Sequence, residues 1–270
     1  MKLVIFGFFR DVLDKDHVHG PIKHLDKYIY APTLRHELEE EVITEEQVRQ
    51  KFTNVKSIHL YDYNQKVKLH HDYVDKMKPW LPEIIGPKQK PYRTLSFFYN
   101  MKESLKLLPK NLPKDELIIL ARADSNITYL NGSNLQKAMK NHDILCTGFR
   151  GQTAQVAPSP NIPGEGRSVI DHVFILKPSA IQCFIDLYED MEDYLYKRYK
   201  NFVPKDKLHS LPDDTIRITI PETIFWFHFH VKGMRVYNQG WDTARNKSIH
   251  YHIQHHIDKP KFLHRIMTQK

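Results

Sequence analysis

Cysteine is scarce: the 270 residues hold two, Cys146 and Cys183, enough for one bridge at most. Both stand in apolar runs, where a buried free thiol is the commoner outcome, so a disulfide scaffold is excluded and a reducing compartment, the cytoplasm, is expected. Long hydrophobic runs are missing too. The N-terminal apolar stretch, residues 3–9, meets Arg10 and Asp11 at once, carries no small-residue cleavage site and is too short to span a bilayer. Neither a signal peptide nor a transmembrane anchor is expected, so any membrane contact would be peripheral. There is no internal repeat, no Walker loop, no nucleotide-binding Gly fingerprint and no Gly-x-Ser-x-Gly elbow, which counts against ATPase, dehydrogenase and hydrolase readings. The 17 histidines do not fall into a zinc pattern. His228 and His230 are only two apart and point to different faces of a helix, and the tail histidines His250, His252, His255 and His256 match no finger or zinc-protease spacing.

The remaining composition is that of a folded chain. Hydrophobic residues make up 41%, charged residues 27% and aromatics 11%, which excludes a disordered tail, a collagen-like fibre and a low-complexity segment. Lys plus Arg outnumber Asp plus Glu by 40 to 32, a formal charge of +8. That surplus favours an anionic partner and leaves open nucleic acid, membrane phosphate or a small phosphorylated ligand.

Short apolar runs alternate with longer amphipathic ones, the pattern of an α/β layered fold. Residues 1–9 predict a first strand buried on both faces. Thr44 opens a helix, with Gln47 placed for a capping box and Glu45 and Glu46 in the first turn. Strands are predicted over 55–61, 116–121, 144–149 and 169–176. Helices are predicted over 93–108, 131–142, 179–199 and 223–231. Residues 150–168 carry three prolines and three glycines without periodicity and read as a binding loop or lid, with a disordered surface excursion as the alternative. The length fits residues 1–245 as one α/β domain, with 246–270 as a His-rich tail packed on it.

Chemistry is sought first where strand 116–121 runs into Arg122-Ala123-Asp124, because ligands of open α/β sheets collect outside the strand carboxyl ends. A carboxylate there can hold a divalent cation or sugar hydroxyls, while a guanidinium two residues away faces a diphosphate. By spacing alone, an ordinary surface ion pair or a turn cap at Asp124 fits as well. Glu222 follows Pro221 at the head of an aromatic helix. It either complements the helix dipole or, its proton affinity raised by apolar surroundings, acts as a general base. Asp171 opens an apolar strand and is a cap or a site residue according to what it faces.

Taken in order, four segments resemble the GT-A-like nucleotide-sugar glycosyltransferases found in bacterial polysaccharide loci and large algal viruses. Met1-Lys2-Leu3-Val4-Ile5-Phe6-Gly7-Phe8-Phe9-Arg10 is similar to that family's first strand and Gly-x-x-Arg turn. Leu120-Ala121-Arg122-Ala123-Asp124 resembles its Arg-x-Asp strand end. Asp171 to Leu176 resembles its Asp-containing strand, and Pro221-Glu222 with Phe225, Phe229 and Gly233-Met234-Arg235-Val236 its Pro-Glu helix and closing strand. The resemblance implies a mostly parallel, Rossmann-like sheet flanked by helices. It implies transfer of a sugar, with xylose the expected one, from a UDP-linked donor to a hydroxyl of a glycan or glycoprotein, with inversion. Gly7, Phe8, Arg10, Arg122 and Asp124 would then bind the donor. Asp124 would be the ligand of any Mn²⁺ or Mg²⁺, and Glu222 the base, with Asp171 second. Arg122 stands where related enzymes carry the first Asp of Asp-x-Asp, and an Arg can neutralise diphosphate charge that a cation otherwise screens, so strict metal dependence is not expected. Two other readings compete. A nucleic-acid binder fits the charge, although the cations are dispersed among Asp and Glu and no recognition module appears. A catalytically inactive interaction domain of the same fold is the other.

Overall fold

The computed structural model describes residues 1–14, 20–35, 41–66, 72, 75, 91–130, 132–146, 149–150, 168–169, 173–196, 224–225, 228–229, 231–238, 251–255 and 264–265. In chain order these form β1 (Lys2–Phe6), β2 (Asp26–Pro32), α1 (Glu45–Lys51), β3 (Val55–Tyr61), α2 (Pro91–Leu105), β4 (Ile118–Arg122), β5 (Ser125–Leu130) and α3 (Gly132–Met139). There follow β6 (Ile144–Cys146), β7 (Phe149–Arg150), β8 (Ser168–Val169), β9 (Val173–Leu176), α4 (Ile181–Tyr196), β10 (Val236–Asn238), β11 (Tyr251–His255) and β12 (His264–Arg265).

Seven strands make the central sheet, in the order β10-β6-β9-β4-β1-β2-β3. All neighbours are parallel except β9, which runs antiparallel to both β4 and β6. This is the α/β architecture that the alternating pattern predicts, with the mostly parallel sheet and flanking helices that the resemblance implies. Period-two alternation sorts the strand side chains into two apolar layers. Val4, Phe6, Ile118, Leu120, Phe174 and Leu176 pack under α2, α4 and the helical residues Ile224, Phe225 and Phe229. Leu3, Ile5, Ile119, Ala121, Val173 and Ile175 face the other way, against Val48 of α1 and Leu135 and Met139 of α3. Burial on both faces explains why the central strands read as unbroken apolar runs.

Local chemistry sets the element ends. Thr44 Oγ1 accepts from the Gln47 amide at 3.2 Å while Gln47 Oε1 accepts from the Thr44 amide at 2.8 Å, the reciprocal box expected at the head of α1. Strand β1 stops at Phe6, earlier than predicted, because Gly7 takes φ +89° and turns the chain. The predicted strand 169–176 divides into β8 and β9, and 144–149 into β6 and the start of β7. α2 ends at Leu105, and Leu108 is buried just beyond it.

The sequence pattern assigns no element to β2, although Tyr28, Ile29, Tyr30 and Ala31 are all buried between β1 and β3. Its entry is held by Lys27, 1% exposed, whose ammonium donates to the carbonyls of Lys23 at 2.6 Å, Leu25 at 3.0 Å and Thr53 at 2.8 Å. Burial pushes that lysine down to about 8. A second, three-stranded antiparallel sheet, β12-β11-β5, joins the chain's last strands to the segment that follows Asp124.

A buried histidine lies in the helical layer. His228 is fully buried; its Nε2 donates to the Cys183 carbonyl at 2.7 Å, and its Nδ1 lies 3.8 Å from Asp190, which also pairs with Lys232 at 2.8 Å. Desolvation outweighs these partners and pushes the imidazole down to about 4. An unfolded histidine titrates near 6.5, so between those values the unfolded chain takes up a proton that the folded one refuses. The His228 contribution is therefore fully present above about pH 6.5, falls as the pH drops, and levels off below about pH 4. The expected loss is about 3 kcal/mol. Urea unfolding at pH 7 and pH 4.5 should show a steeper acid loss in the wild type than in His228→Gln; equal slopes would refute it.

Candidate functional site

The chain leaves β1 toward β2 and β3 and returns to β1's other flank with β4, so the sheet order reverses between β1 and β4. The crevice outside the carboxyl ends of two such strands is where open α/β sheets hold ligands. The parallel register sets Phe6 opposite Arg122, and the Ala123 amide donates to the Phe6 carbonyl at 2.7 Å. Gly7 then donates to the Tyr30 carbonyl at 3.1 Å. Arg10 follows with φ 51° and donates its amide to the Arg35 carbonyl at 3.0 Å. A non-glycine residue in that left-handed region is strained, and such strain concentrates at functional turns.

Asp124 is the centre of the arrangement and is itself buried, with its side chain 4% exposed. Arg122 grips it with two parallel bonds, Nε to Oδ1 at 2.9 Å and Nη2 to Oδ2 at 2.7 Å. Arg10 Nη1 approaches the same Oδ2 to 3.3 Å. The pairing is therefore an interior one, unlike the surface ion pair or turn cap that spacing alone allows. Two guanidiniums thus converge on one carboxylate.

Aromatic rings line the flanks. The Arg122 guanidinium lies 6.0 Å from the centroid of Phe97, which meets Phe6 edge-on at 5.3 Å and Phe225 at 5.9 Å. On the other side Phe8 meets Tyr63 edge-on at 5.0 Å, beside Tyr30, which stacks on Tyr61 at 5.0 Å and on His59 at 5.1 Å. Tyr30, Tyr61 and Tyr63 form a buried cluster against Phe8, and burial pushes the Tyr30 and Tyr61 phenols above their ordinary range. These rings stay neutral hydrogen-bonding groups near neutrality.

Of the sequence-predicted site residues, Gly7, Phe8, Arg10, Arg122 and Asp124 are brought together here. Asp171 and Glu222 lie outside the described residues, as does 151–167 of the proposed loop. Phe97 and the tyrosine cluster were missed by sequence reasoning. Phe97 lies next to the core-facing Phe98 in an aromatic run, and only the long-range packing of α2 over Phe6 tells the two apart.

Among the described residues, the donor set at Asp124 does not fit a resident divalent cation. Both oxygens already accept from Arg122, a second guanidinium stands beside them, and among the described residues no three His, Cys, Asp or Glu side chains converge as a metal centre. Hard cations need several oxygen ligands.

No protein-family model and no curated protein matches the chain. Among solved structures, it is similar to the crystal structure of mouse xyloside xylosyltransferase 1 in its apo form, at TM-score 0.40 and 13% identity, over 87% of this chain and 83% of that one. No helix among the described residues is long and apolar enough to cross a membrane.

Removing one member of the buried trio leaves its carboxylate short of partners. Arg122→Ala strips two charge-assisted bonds from Asp124 while Arg10 remains, so unfolding free energy should fall by about 2 kcal/mol. Urea titration checks this, and an unchanged midpoint would show the pair to be energetically idle.

Proposed function

We propose that the protein is a glycosyltransferase that moves a sugar from a nucleoside-diphosphate donor to a glycan hydroxyl. The observation that carries this reading is the convergence of Arg10 and Arg122 on Asp124 at the carboxyl ends of β1 and β4. Guanidinium forks match the oxygens of a diphosphate, and the half-buried Phe8 ring beside them is a planar surface of the kind a nucleobase stacks on.

The chemistry follows from the charges. The bond between the anomeric carbon and the diphosphate breaks, and its electron pair leaves with the diphosphate, where Arg10 and Arg122 stabilise the growing charge. The acceptor oxygen bonds to the anomeric carbon from the opposite face, and its proton passes to a carboxylate base. Glu222 is proposed for that base, with Asp171 second. UDP is the proposed nucleotide and xylose the proposed sugar. A nucleic-acid binder is less well supported. Described cations such as Lys2, Arg49, Lys106 and Arg235 are each matched by a carboxylate on their own part of the surface.

A ligand that binds only the folded state raises the melting temperature, by several degrees when present at about a hundred times its Kd. UDP and UDP-sugars should produce that shift and oligonucleotides should not; the reverse result would favour the nucleic-acid binder. Glu222→Gln should then cut transfer at least ~100-fold while leaving the donor-induced shift nearly intact. Transfer at the wild-type rate would remove Glu222 from the mechanism, and a donor shift with no transfer or donor hydrolysis in the wild type would mark an inactive domain.

A further inference from the structure

We propose that the β1/β4 crevice binds a diphosphate without a divalent cation, and that Asp124 is a positioning residue for Arg10 and Arg122 rather than a metal ligand. The nucleotide-sugar reading supplies only the identity of the natural ligand; the cradle itself is selective for a diphosphate of any source.

The relative exposure of the three side chains carries the proposal. Asp124 is 4% exposed, whereas Arg10 and Arg122 are 28% and 21% exposed. Whatever enters the crevice therefore meets the guanidiniums before the carboxylate. A hydrated cation would arrive against two positive groups to reach an anion whose oxygens already accept N–H donors. Mg²⁺ also gives up its waters reluctantly. An anion meets the opposite situation, because the two cationic side chains are the more exposed members of the trio.

Each arginine is also held in place. The bidentate contact with Asp124 fixes the Arg122 guanidinium plane, and the Phe97 ring at 6.0 Å bounds it on one side. Arg10 is held by its left-handed backbone, by its amide bond to the Arg35 carbonyl at 3.0 Å and by Asp124 Oδ2 at 3.3 Å. One buried carboxylate thus aims two cations at the same volume, and a preorganised pair avoids the ordering cost that loose arginines would meet on binding.

Inorganic pyrophosphate is the probe, with calorimetry and thermal shift on the full chain in EDTA and, at matched free pyrophosphate, in Mn²⁺. Binding in EDTA with a Kd within threefold of the Mn²⁺ value supports the proposal. Binding only with Mn²⁺, tightening of tenfold or more by it, or no binding in either buffer overturns it. Asp124→Asn adds a readout that a merely structural role would not move. Without ligand the variant should melt below the wild type, since two guanidiniums lose their shared anion. Pyrophosphate in EDTA should then raise its melting temperature by less than it raises the wild type's, because the two guanidiniums are no longer held toward one volume and their ordering falls on the binding step. An equal or larger gain in the variant overturns the positioning role. If the variant does not fold, the wild-type comparison decides alone. A UDP-sugar run in parallel separates the two readings: pyrophosphate binding in EDTA with no response to UDP-sugar sustains the cradle and refutes the donor assignment, whereas UDP-sugar binding confined to Mn²⁺ does the reverse.

Discussion

A carboxylate removed from water must be compensated on the spot, and at Asp124 that requirement organises the whole mouth of the sheet. The compensation comes from two places in the chain, Arg122 two residues away and Arg10 from the turn after β1. Arg10 reaches it only because β1 and β4 are parallel neighbours in a register that sets Phe6 beside Arg122, and because Gly7 turns the chain immediately after Phe6. The buried charge, the strained turn and the strand pairing are therefore one constraint seen at three scales. Loss of the charge would leave the turn without its purpose, and a slip of register would leave the charge without its second partner.

The layers on either side serve the same end. α2 rises against the face that holds Val4, Phe6 and Leu120, and so brings Phe97 to the guanidinium of Arg122. β2 and β3 extend the sheet on the other flank and bring the tyrosines beside Phe8. The cationic centre thus sits between two aromatic walls supplied by different parts of the core.

How far the sequence predicts this depends on the range of the interaction that creates each feature. β1, β4 and β9 are legible because central strands of a parallel sheet are apolar on both faces, and α1 because its capping box is local. β2 escapes because its buried positions include two tyrosines and a lysine, whose burial is made tolerable by stacking partners and by three carbonyls that no local window contains. β5 escapes for a related reason: Ser125 and Asn126 read as a turn, and their strand pairing is supplied by β11 from the far end of the chain. At the site, the Arg122-Asp124 spacing points to a pair, but its burial and its third member depend on β1 and are visible only in three dimensions. The family resemblance groups Arg10 with Arg122 and Asp124 without revealing that the carboxylate is enclosed.

The pairing of β5 with β11 also has a temporal side. β5 begins at the residue after Asp124, whereas its partner β11 does not begin until Tyr251. β1, β2, β3 and β4 can pair earlier, since their partners lie in the first half of the sequence. Contacts of long sequence separation form slowly and domains assemble largely in the order of synthesis. The arginine-carboxylate centre is thereby available to a nascent chain whose neighbouring sheet is still open. The three charged side chains can therefore meet before β11 has paired with β5.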